Sequence, residues 1–276
     1  MTESRPGVER VTIRKCNGIG EFKACVALQK EVWNFADADL VPLRIFVVSE
    51  KIGGQIIGAF DGTELIGFAF SIPGERGGRA YLHSHMLAVR ATWRDLGLGR
   101  RLKLVQREDA IQKGFELIEW TFDPLEIKNA YLNLTRLGAV ARRYSVNHYG
   151  DSSSPLQGGL PTDRLVAEWW LKSRRVVELL EKNQPPHFPV EGKIAVPAQI
   201  YAWKASNADR AKAAKVQENN RAEFLRALPQ GLAALGYAID SAGNGAFLLG
   251  RWDENWSYAE PFANPASDWD RPQETT

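Results

Sequence analysis

The sequence predicts an α/β fold in which helices flank a mixed, mostly antiparallel sheet. Three β-rich runs, 55–60, 64–72 and 80–89, are joined by short turns and predict a three-stranded antiparallel meander. A glycine-containing turn then leads into a segment with apolar residues at helical spacing, 98–112. A further strand, 115–122, follows this helix, so we expect it to run parallel to the strand that precedes the helix.

Length and composition indicate an ordinary globular protein. The 276 residues are 44% hydrophobic and 25% charged, which allows one large or two small domains. The net charge of +2 gives no general affinity for nucleic acid. The two cysteines, Cys16 and Cys25, lie in apolar segments and are interpreted as buried thiols. Because no signal peptide or membrane-length apolar run is evident, we expect a cytoplasmic protein without membrane partners.

The other elements follow from periodicity and turn signals. In the first part of the chain we expect a strand over 11–15, a helix over 21–33, an irregular segment over 34–42 followed by mixed sequence to 51, a helix over 126–137, and strands over 141–149 and 165–171. In the second part we expect a helix over 173–182, a strand over 199–203, a long helix after a capping box at 206–209, and a closing hairpin over 237–252. This divides the chain into a first domain, 9–171, an α/β extension packed on it, 172–255, and a tail, 256–276.

The strand over 80–89 carries two histidines in an alternating pattern. Alternation places side chains on one face of this strand in the order His83, His85, Leu87 and Val89. It places the intervening side chains on the opposite face, in the order Ser84, Met86 and Ala88. The strand is therefore expected to present both imidazoles to the same side of the sheet.

The turn after this strand, residues 94–100, is called the glycine loop here. Gly97 and Gly99 allow close approach of a ligand to the backbone, and the free amides of the following helix favour an anion. Arg94, Arg100 and Arg101 add positive charge. The loop lacks the Gly-Lys-Ser/Thr of a nucleotide P-loop and the third glycine of a dinucleotide fingerprint. It is interpreted as a pyrophosphate-binding loop at the end of a strand.

The Arg-x-x-Gly-x-Gly spacing after a strand that ends in Leu-Ala-Val resembles the acyl-CoA loop of the GNAT N-acetyltransferase superfamily. The resemblance covers 11–171. The strings Trp-Thr-Phe-Asp-Pro at 120–124 and Asn-Ala-Tyr-Leu-Asn-Leu at 129–134 also resemble a bacterial subgroup with a long C-terminal extension. The resemblance to the superfamily implies that CoA binds in a V-shaped gap between the fourth and fifth strands, where a β-bulge frees backbone groups. It also implies acetyl-CoA or another acyl-CoA as co-substrate, with no metal. The implied CoA-binding residues are Leu87, Ala88, Val89, Arg94, Asp95, Leu96, Gly97, Leu98, Gly99, Arg100, Asn129 and Asn133.

His83 and His85 are the sharpest candidates for catalysis. The string His-x-His-x-Leu-Ala-Val resembles the fourth strand of serotonin N-acetyltransferases, in which paired histidines help to remove a proton from the amine. Imidazole titrates near neutral pH and suits that task. The alternative is that both are core histidines with backbone partners.

One departure from the superfamily pattern concerns the general acid. Many members carry a tyrosine on the helix after the fifth strand, and Leu134 occupies that position here. Tyr131, Tyr144 or Tyr149, or a water molecule, could replace it, so the general acid is unassigned. Asp123 follows the fifth strand and could steer a cationic amine or polarise His85. The equal alternative is a cap for the following helix.

The expected function is transfer of an acyl group, with acetyl as the first choice, to the amine of a small molecule such as an amino acid or arylalkylamine. The amine would attack the thioester directly in a ternary complex. Two alternatives stay open, an N-succinyltransferase of amino acids and a non-catalytic acyl-CoA-binding regulatory protein. The sequence identifies neither the acceptor nor the oligomeric state, and a homodimer is compatible with it.

Overall fold

The computed structural model describes residues 7–150 and 157–256. The helices are α1 (Gly18–Trp33), α2 (Leu43–Lys51), α3 (Leu98–Gln112), α4 (Ile127–Ala130, continued as a π-helix over Tyr131–Arg136), α5 (Arg174–Glu181), α6 (Ile200–Ala205) and α7 (Arg210–Ala227). The strands are β1 (Thr12–Lys15), β2 (Gln55–Asp61), β3 (Glu64–Arg76), β4 (Arg79–Val89), β5 (Leu117–Phe122), β6 (Val140–Ser145), β7 (Arg164–Trp170), β8 (Gly192–Val196), β9 (Leu232–Ile239) and β10 (Gly245–Arg251).

The strands form one ten-stranded sheet in the order β1-β2-β3-β4-β5-β7-β6-β9-β10-β8. The predicted meander of β2, β3 and β4 is confirmed, with Asp61 paired to Glu64 across the first turn. The predicted parallel pairing of β4 and β5 is also confirmed. All other described pairs are antiparallel, which gives the mixed, mostly antiparallel sheet expected from the sequence.

Helices cover both faces of the sheet. On one face α1 and α2 bury Phe22 and Phe46 against Phe68 and Phe70 of β3. On the other face, called the α3 face here, Leu98 and Leu102 of α3 pack with Ile66 and Ala69 of the same strand. Among the described residues, no helix is both long enough and apolar enough to cross a lipid bilayer.

Residues beyond β7 extend the same sheet. Strand β9 pairs with β6 at Ala234 and Ala141, and Phe224 of α7 stacks on Tyr144 of β6 with ring centroids 5.4 Å apart. The Lys204 ammonium of α6 donates to a carboxylate oxygen of Asp123 at 2.8 Å. The second part of the chain therefore shares its core with the first. The predicted tail lies outside the described residues beyond Trp256.

Three sequence expectations about elements were wrong. The segment 34–51 contains α2, in which Ile45 and Val48 remain exposed and blur the helical pattern. The run 199–203 is helix α6, although it is rich in residues that favour strands. Strand β8 was missed, because it is a short edge strand whose pairing depends on β10 far along the chain. Helix α7 begins after Asp209, whose backbone amide donates to Ser206 Oγ at 3.3 Å, one of the two bonds of the expected capping box.

Candidate active site

The parallel pair of strands opens into a gap. Pairing of β4 with β5 ends at His83 and Glu119, although β4 continues to Val89 and β5 to Phe122. The separation beyond His83 and Glu119 is called the β4–β5 gap here. The glycine loop and the start of α3 follow β4 at its wide end. Helix α4 follows β5 at the same end.

A β-bulge in β4 lies at the start of this gap. Phe70 of β3 is opposite Met86, and Ser71 is opposite Ser84, so His85 is an extra residue in β4. The bulge implied by the superfamily resemblance is therefore present. Extra residues of this kind free backbone groups from the ladder, because one strand contributes two residues where its partner contributes one.

The bulge corrects the predicted assignment of side chains to faces. Ser84 Oγ accepts from Lys103 Nζ of α3 at 2.8 Å, so Ser84 lies on the α3 face, and Leu87 and Val89 pack on that face as well. Met86 and Ala88 pack with α1 instead. The face bearing α1, α2 and the histidines is called the histidine face. The predicted grouping of Leu87 and Val89 with the histidines was wrong, because a bulge reverses the alternation beyond it.

The two imidazoles lie side by side on the histidine face. Their ring centroids are 6.1 Å apart, and the His85 ring meets the edge of Phe70 at 6.2 Å. Burial lowers the pKa of His83 to about 4, a shift that the nearby Glu119 carboxylate partly opposes. Burial also lowers the pKa of His85, although part of its side chain reaches solvent. Both rings are neutral at pH 7, which is the form that accepts a proton.

The glycine loop turns through a left-handed glycine into the uncapped N-terminus of α3. Gly97 has a φ of +78°, a backbone conformation that favours glycine. A Cβ at this position would meet nothing within 4 Å, so the space beside the backbone is open. Leu98 is buried and anchors the first turn of α3, whose N-terminus has no side-chain cap. A Cβ on Gly99 would lie 3.7 Å from Leu87 and 3.9 Å from Leu132. Gly99 therefore lies where β4 and the π-helix face each other across the gap.

The arginines in and just after the glycine loop bond to different backbone carbonyls. Arg94 Nε donates to the Val89 carbonyl at 3.1 Å, and Arg100 Nε lies 3.4 Å from the Arg136 carbonyl. Burial, and then the neighbouring Arg136, lower the pKa of Arg100. Arg101 instead donates to the carbonyls of the N-terminal segment, so its predicted charge is turned away from the loop. Leu96 is partly buried and packs against the apolar cluster that contains Leu98 and Leu102 of α3.

Two further loop and helix residues differ from expectation. The Asp95 carboxylate pairs with Lys128 at 2.9 Å, across the wide end of the gap. Asn129 is exposed, whereas Asn133 is buried within the π-helix and its Nδ2 has no hydrogen-bond partner among the described residues. An amide donor buried without a partner is costly and fits a site for a ligand carbonyl. Of the two predicted asparagines, only Asn133 therefore has a buried amide without a described partner.

A charged network on the histidine face was not predicted from the sequence. Glu119 is buried and accepts from both guanidinium nitrogens of Arg76 at 2.8 Å, and it also pairs with Arg143. Arg143 pairs in turn with Glu168 of β7. The arginines hold the pKa of Glu119 below its usual range despite burial. Glu119 is therefore ionised beside His83.

Lys103 is the second group that the sequence reasoning missed. Its side chain is only 2% exposed, and its ammonium lies 3.7 Å from the centroid of the Trp120 ring. It donates to Ser84 Oγ at 2.8 Å and to Gln106 Oε1 at 3.0 Å. Gly99, Lys103, Gln106 and Ala110 repeat at helical spacing, and this was the available signal that Lys103 faces inward.

Asp123 has structural partners rather than a histidine partner. Its Oδ1 accepts from the Leu125 amide at 2.8 Å, and its Oδ2 accepts from Lys204 at 2.8 Å. These bonds give Asp123 a structural role before α4, but not the expected cap, because Glu126 is the N-cap residue of α4 and no side chain caps that helix. Within 7–150 and 157–256, no three His, Cys, Asp or Glu side chains form a group that could hold a metal ion.

Comparisons with known proteins find likeness only among solved structures. No protein-family model matches the chain, and no curated protein does. The ribosomal-protein-S18-alanine N-acetyltransferase of Escherichia coli is 13% identical, with a TM-score of 0.47 over 59% of this chain and 95% of that chain. A putative acetyltransferase of Salmonella typhimurium, solved with its cofactor acetyl-CoA, is 15% identical, with a TM-score of 0.49 over 60% of this chain and 96% of that one. A GNAT acetyltransferase of Elizabethkingia anophelis, with acetyl-CoA bound, is 15% identical, with a TM-score of 0.44 over 59% and 99%.

Three observations decide the architecture. They are the order of elements along the chain, the parallel strands β4 and β5 that separate beyond His83 and Glu119, and the bulge in β4. The chain has the GNAT fold. Leu134, which the sequence resemblance aligns with the usual tyrosine, is wholly buried in the core. The Tyr144 hydroxyl donates to Asp163 Oδ2 at 2.6 Å. The Tyr149 hydroxyl is hydrogen-bonded to Thr121 Oγ1 of β5 at 2.8 Å.

Proposed function

We propose that this protein is an acyl-CoA-dependent N-acyltransferase that acetylates the amine of a small molecule by direct attack on the thioester. One observation carries the proposal. The bulge at His85 lies where β4 and β5 separate, so the glycine loop and two neutral imidazoles converge on one gap. The solved relatives of similar fold that hold acetyl-CoA are consistent with this choice of donor.

The two sides of the gap suit two substrates. The free amides of the glycine loop and of α3 would hold the pyrophosphate, because they are uncapped donors at the positive end of a helix. The backbone of residues 87–89 and the amide of Asn133 would hold the pantetheine arm. The amine would approach from the histidine face, where His85 is neutral and partly exposed.

His85 would act as the general base and His83 as its positioning neighbour. A neutral imidazole accepts the proton that the attacking amine must lose, while the carbon–nitrogen bond forms and the carbon–sulfur bond breaks. His83 is more buried and adjoins ionised Glu119, so it is suited to orienting His85 or a water molecule. The protein would then release the amide and free CoA.

The test is release of thiol from acetyl-CoA with a panel of amino acids and arylalkylamines, repeated with succinyl-CoA. The matched control is Gly99→Glu, because Gly99 has an ordinary φ and its Cβ position makes only ordinary contacts. A carboxylate there would repel the pyrophosphate without straining the backbone. We expect amine-dependent release by the wild type and none by Gly99→Glu.

The other outcomes discriminate among the functions considered. Tight binding of CoA in calorimetry without turnover of any amine supports the non-catalytic alternative. Turnover with succinyl-CoA but not acetyl-CoA supports the N-succinyltransferase. Absence of CoA binding by the folded wild type contradicts the proposed function.

A further inference from the structure

A leaving thiolate needs a proton, and the tyrosine that many proteins of this fold use is replaced by buried Leu134. Tyr144 is engaged by Asp163 deep in the core, and its pKa is raised by burial and by that carboxylate. Trp120 faces α3, so strand alternation places the next residue, Thr121, on the histidine face. The Tyr149 hydroxyl is hydrogen-bonded to Thr121 and therefore lies on the histidine face as well. Tyr131, the third candidate, is partly buried and packs against the core cluster that contains Ile127 and Leu134. A donor other than a tyrosine is available on the α3 side of the β4–β5 gap.

That side of the gap holds a connected set of donors. Ser84 and Trp120 are the first residues beyond the last paired residues of β4 and β5. Lys103 Nζ donates to Ser84 Oγ at 2.8 Å and lies over the Trp120 ring. Ser84 Oγ lies 3.2 Å from Gln106 Oε1, its own acceptor. The ammonium thus lies at the point where the two strands separate.

We propose that Ser84 protonates the departing CoA sulfur and that Lys103 resupplies the proton to Ser84. As the carbon–sulfur bond breaks, the sulfur leaves with the electron pair and takes the Ser84 hydroxyl proton. Ser84 Oγ takes a proton from the Lys103 ammonium, which becomes a neutral amine. Solvent returns that proton when the product leaves. This inference rests on the proposed function.

The hydrogen bonds permit this transfer. The bond from Ser84 to Gln106 is the longest of the three at 3.2 Å, so the hydroxyl hydrogen can turn toward the gap. Gln106 Oε1 keeps the Lys103 donor at 3.0 Å when it does. A protonated amine beside the hydroxyl also stabilises negative charge that develops on the sulfur.

The electrostatics favour a proton donor that works near neutral pH. Burial lowers the pKa of Lys103 well below its ordinary value, and no described carboxylate pairs with it. The Lys103 ammonium helps to lower the pKa of His83, which lies across the sheet. An ammonium with a lowered pKa gives up its proton more readily than an exposed lysine does.

The experiment compares Lys103→Met and Ser84→Ala with the wild type and with Lys113→Met, a control at the end of the same helix. Met keeps the volume of the lysine stem, and removal of a buried unpaired charge is expected to leave the melting temperature equal or higher. We expect kcat with acetyl-CoA to fall roughly a hundredfold or more in both variants, with little change in KM for acetyl-CoA. The wild-type rate should also decline at high pH, where Lys103 loses its proton, and this decline should be absent from both variants.

Each other result has a definite meaning. Unchanged kcat and an unchanged pH profile in Ser84→Ala and Lys103→Met overturn the inference while leaving the proposed function intact. If Lys103→Met fails to fold, the profile of Ser84→Ala decides alone. A loss confined to the KM for succinyl-CoA also overturns it, because Lys103 would then recognise a carboxylate on the acyl group. No turnover by the wild type with any donor and amine overturns both the function and the inference.

Discussion

Replacement of His85 by alanine should remove a base without removing the site for acyl-CoA. Most contacts to CoA are expected to come from backbone amides of the glycine loop and α3. The His85 ring lies on the histidine face, which is the face of the sheet opposite α3. We expect kcat at saturating acetyl-CoA to fall roughly a hundredfold or more, the usual contribution of a general base. That factor corresponds to about 2.7 kcal/mol of transition-state free energy.

The pH dependence gives the sharper test of the same substitution. Burial lowers the pKa of His85 from 6.5, so the base form is present at neutral pH. The wild-type rate should therefore rise with pH through a midpoint below 6.5 and be level by pH 7. In His85→Ala this rise should vanish. The ratio of wild-type to variant rates should narrow at high pH, where more amine is already deprotonated.

The assay is thiol release across pH 5 to 9 with one acceptor, accompanied by calorimetry with CoA. Exposed His187→Ala serves as the control for loss of a histidine. His83→Ala should reduce the rate less than His85→Ala does. Full activity of His85→Ala with an unchanged profile would refute the reasoning and move the base elsewhere. Unfolding of both His83 and His85 variants would instead support two core histidines.

Four further outcomes are expected. Gly99→Glu should abolish acyl-CoA binding in calorimetry while its circular dichroism stays that of the wild type, and retained affinity would contradict the glycine loop as the pyrophosphate site. A fragment ending at residue 171 should be insoluble, because the second part shares its core with the first, whereas a soluble fragment with a cooperative melt would show independent domains. As the pH falls from 6.5 to 4, the free energy of unfolding of the wild type, measured in urea, should decrease by up to about 3 kcal/mol more than that of His83→Gln. In this pH range the unfolded chain protonates His83, whereas the folded chain, in which the pKa of His83 is about 4, does not. Equal decreases in the two proteins would contradict this. Lys204→Met should cost about 3–5 kcal/mol by leaving buried Asp123 unpaired, and Lys204→Met combined with Asp123→Asn should recover much of it.

Local signals in the sequence were sufficient for the elements that surround the gap. The helix predicted over 98–112 coincides with α3, because its apolar spacing and the preceding glycines act within one short segment. The hairpin at Asp61 and the parallel return to β5 likewise depend on nearby turns and on one crossover. By contrast, α6 was predicted as a strand from composition alone, and its true form depends on packing beside α7.

The roles of individual side chains were less predictable, because they depend on partners far along the chain. Asp123 and Glu126 are paired with Lys204, a residue of the extension. Glu119 is held by Arg76 and by Arg143 of β6, so nothing near it in sequence marks a buried carboxylate. These pairings exist only once the sheet is assembled.

The bulge at His85 changes how the candidate site can work. Unbroken alternation would put Leu87 and Val89 on the same side as the imidazoles, so the acyl-CoA arm and the amine would compete for one surface. With the bulge, Leu87 faces α3 and the glycine loop, while His85 faces the opposite side beside Phe70. The thioester would then be reached from one face and the amine from the other, with the proton acceptor on the amine's side. Ser84 and Lys103 lie on the thioester's side, so one bulge separates removal of the amine proton from protonation of the sulfur.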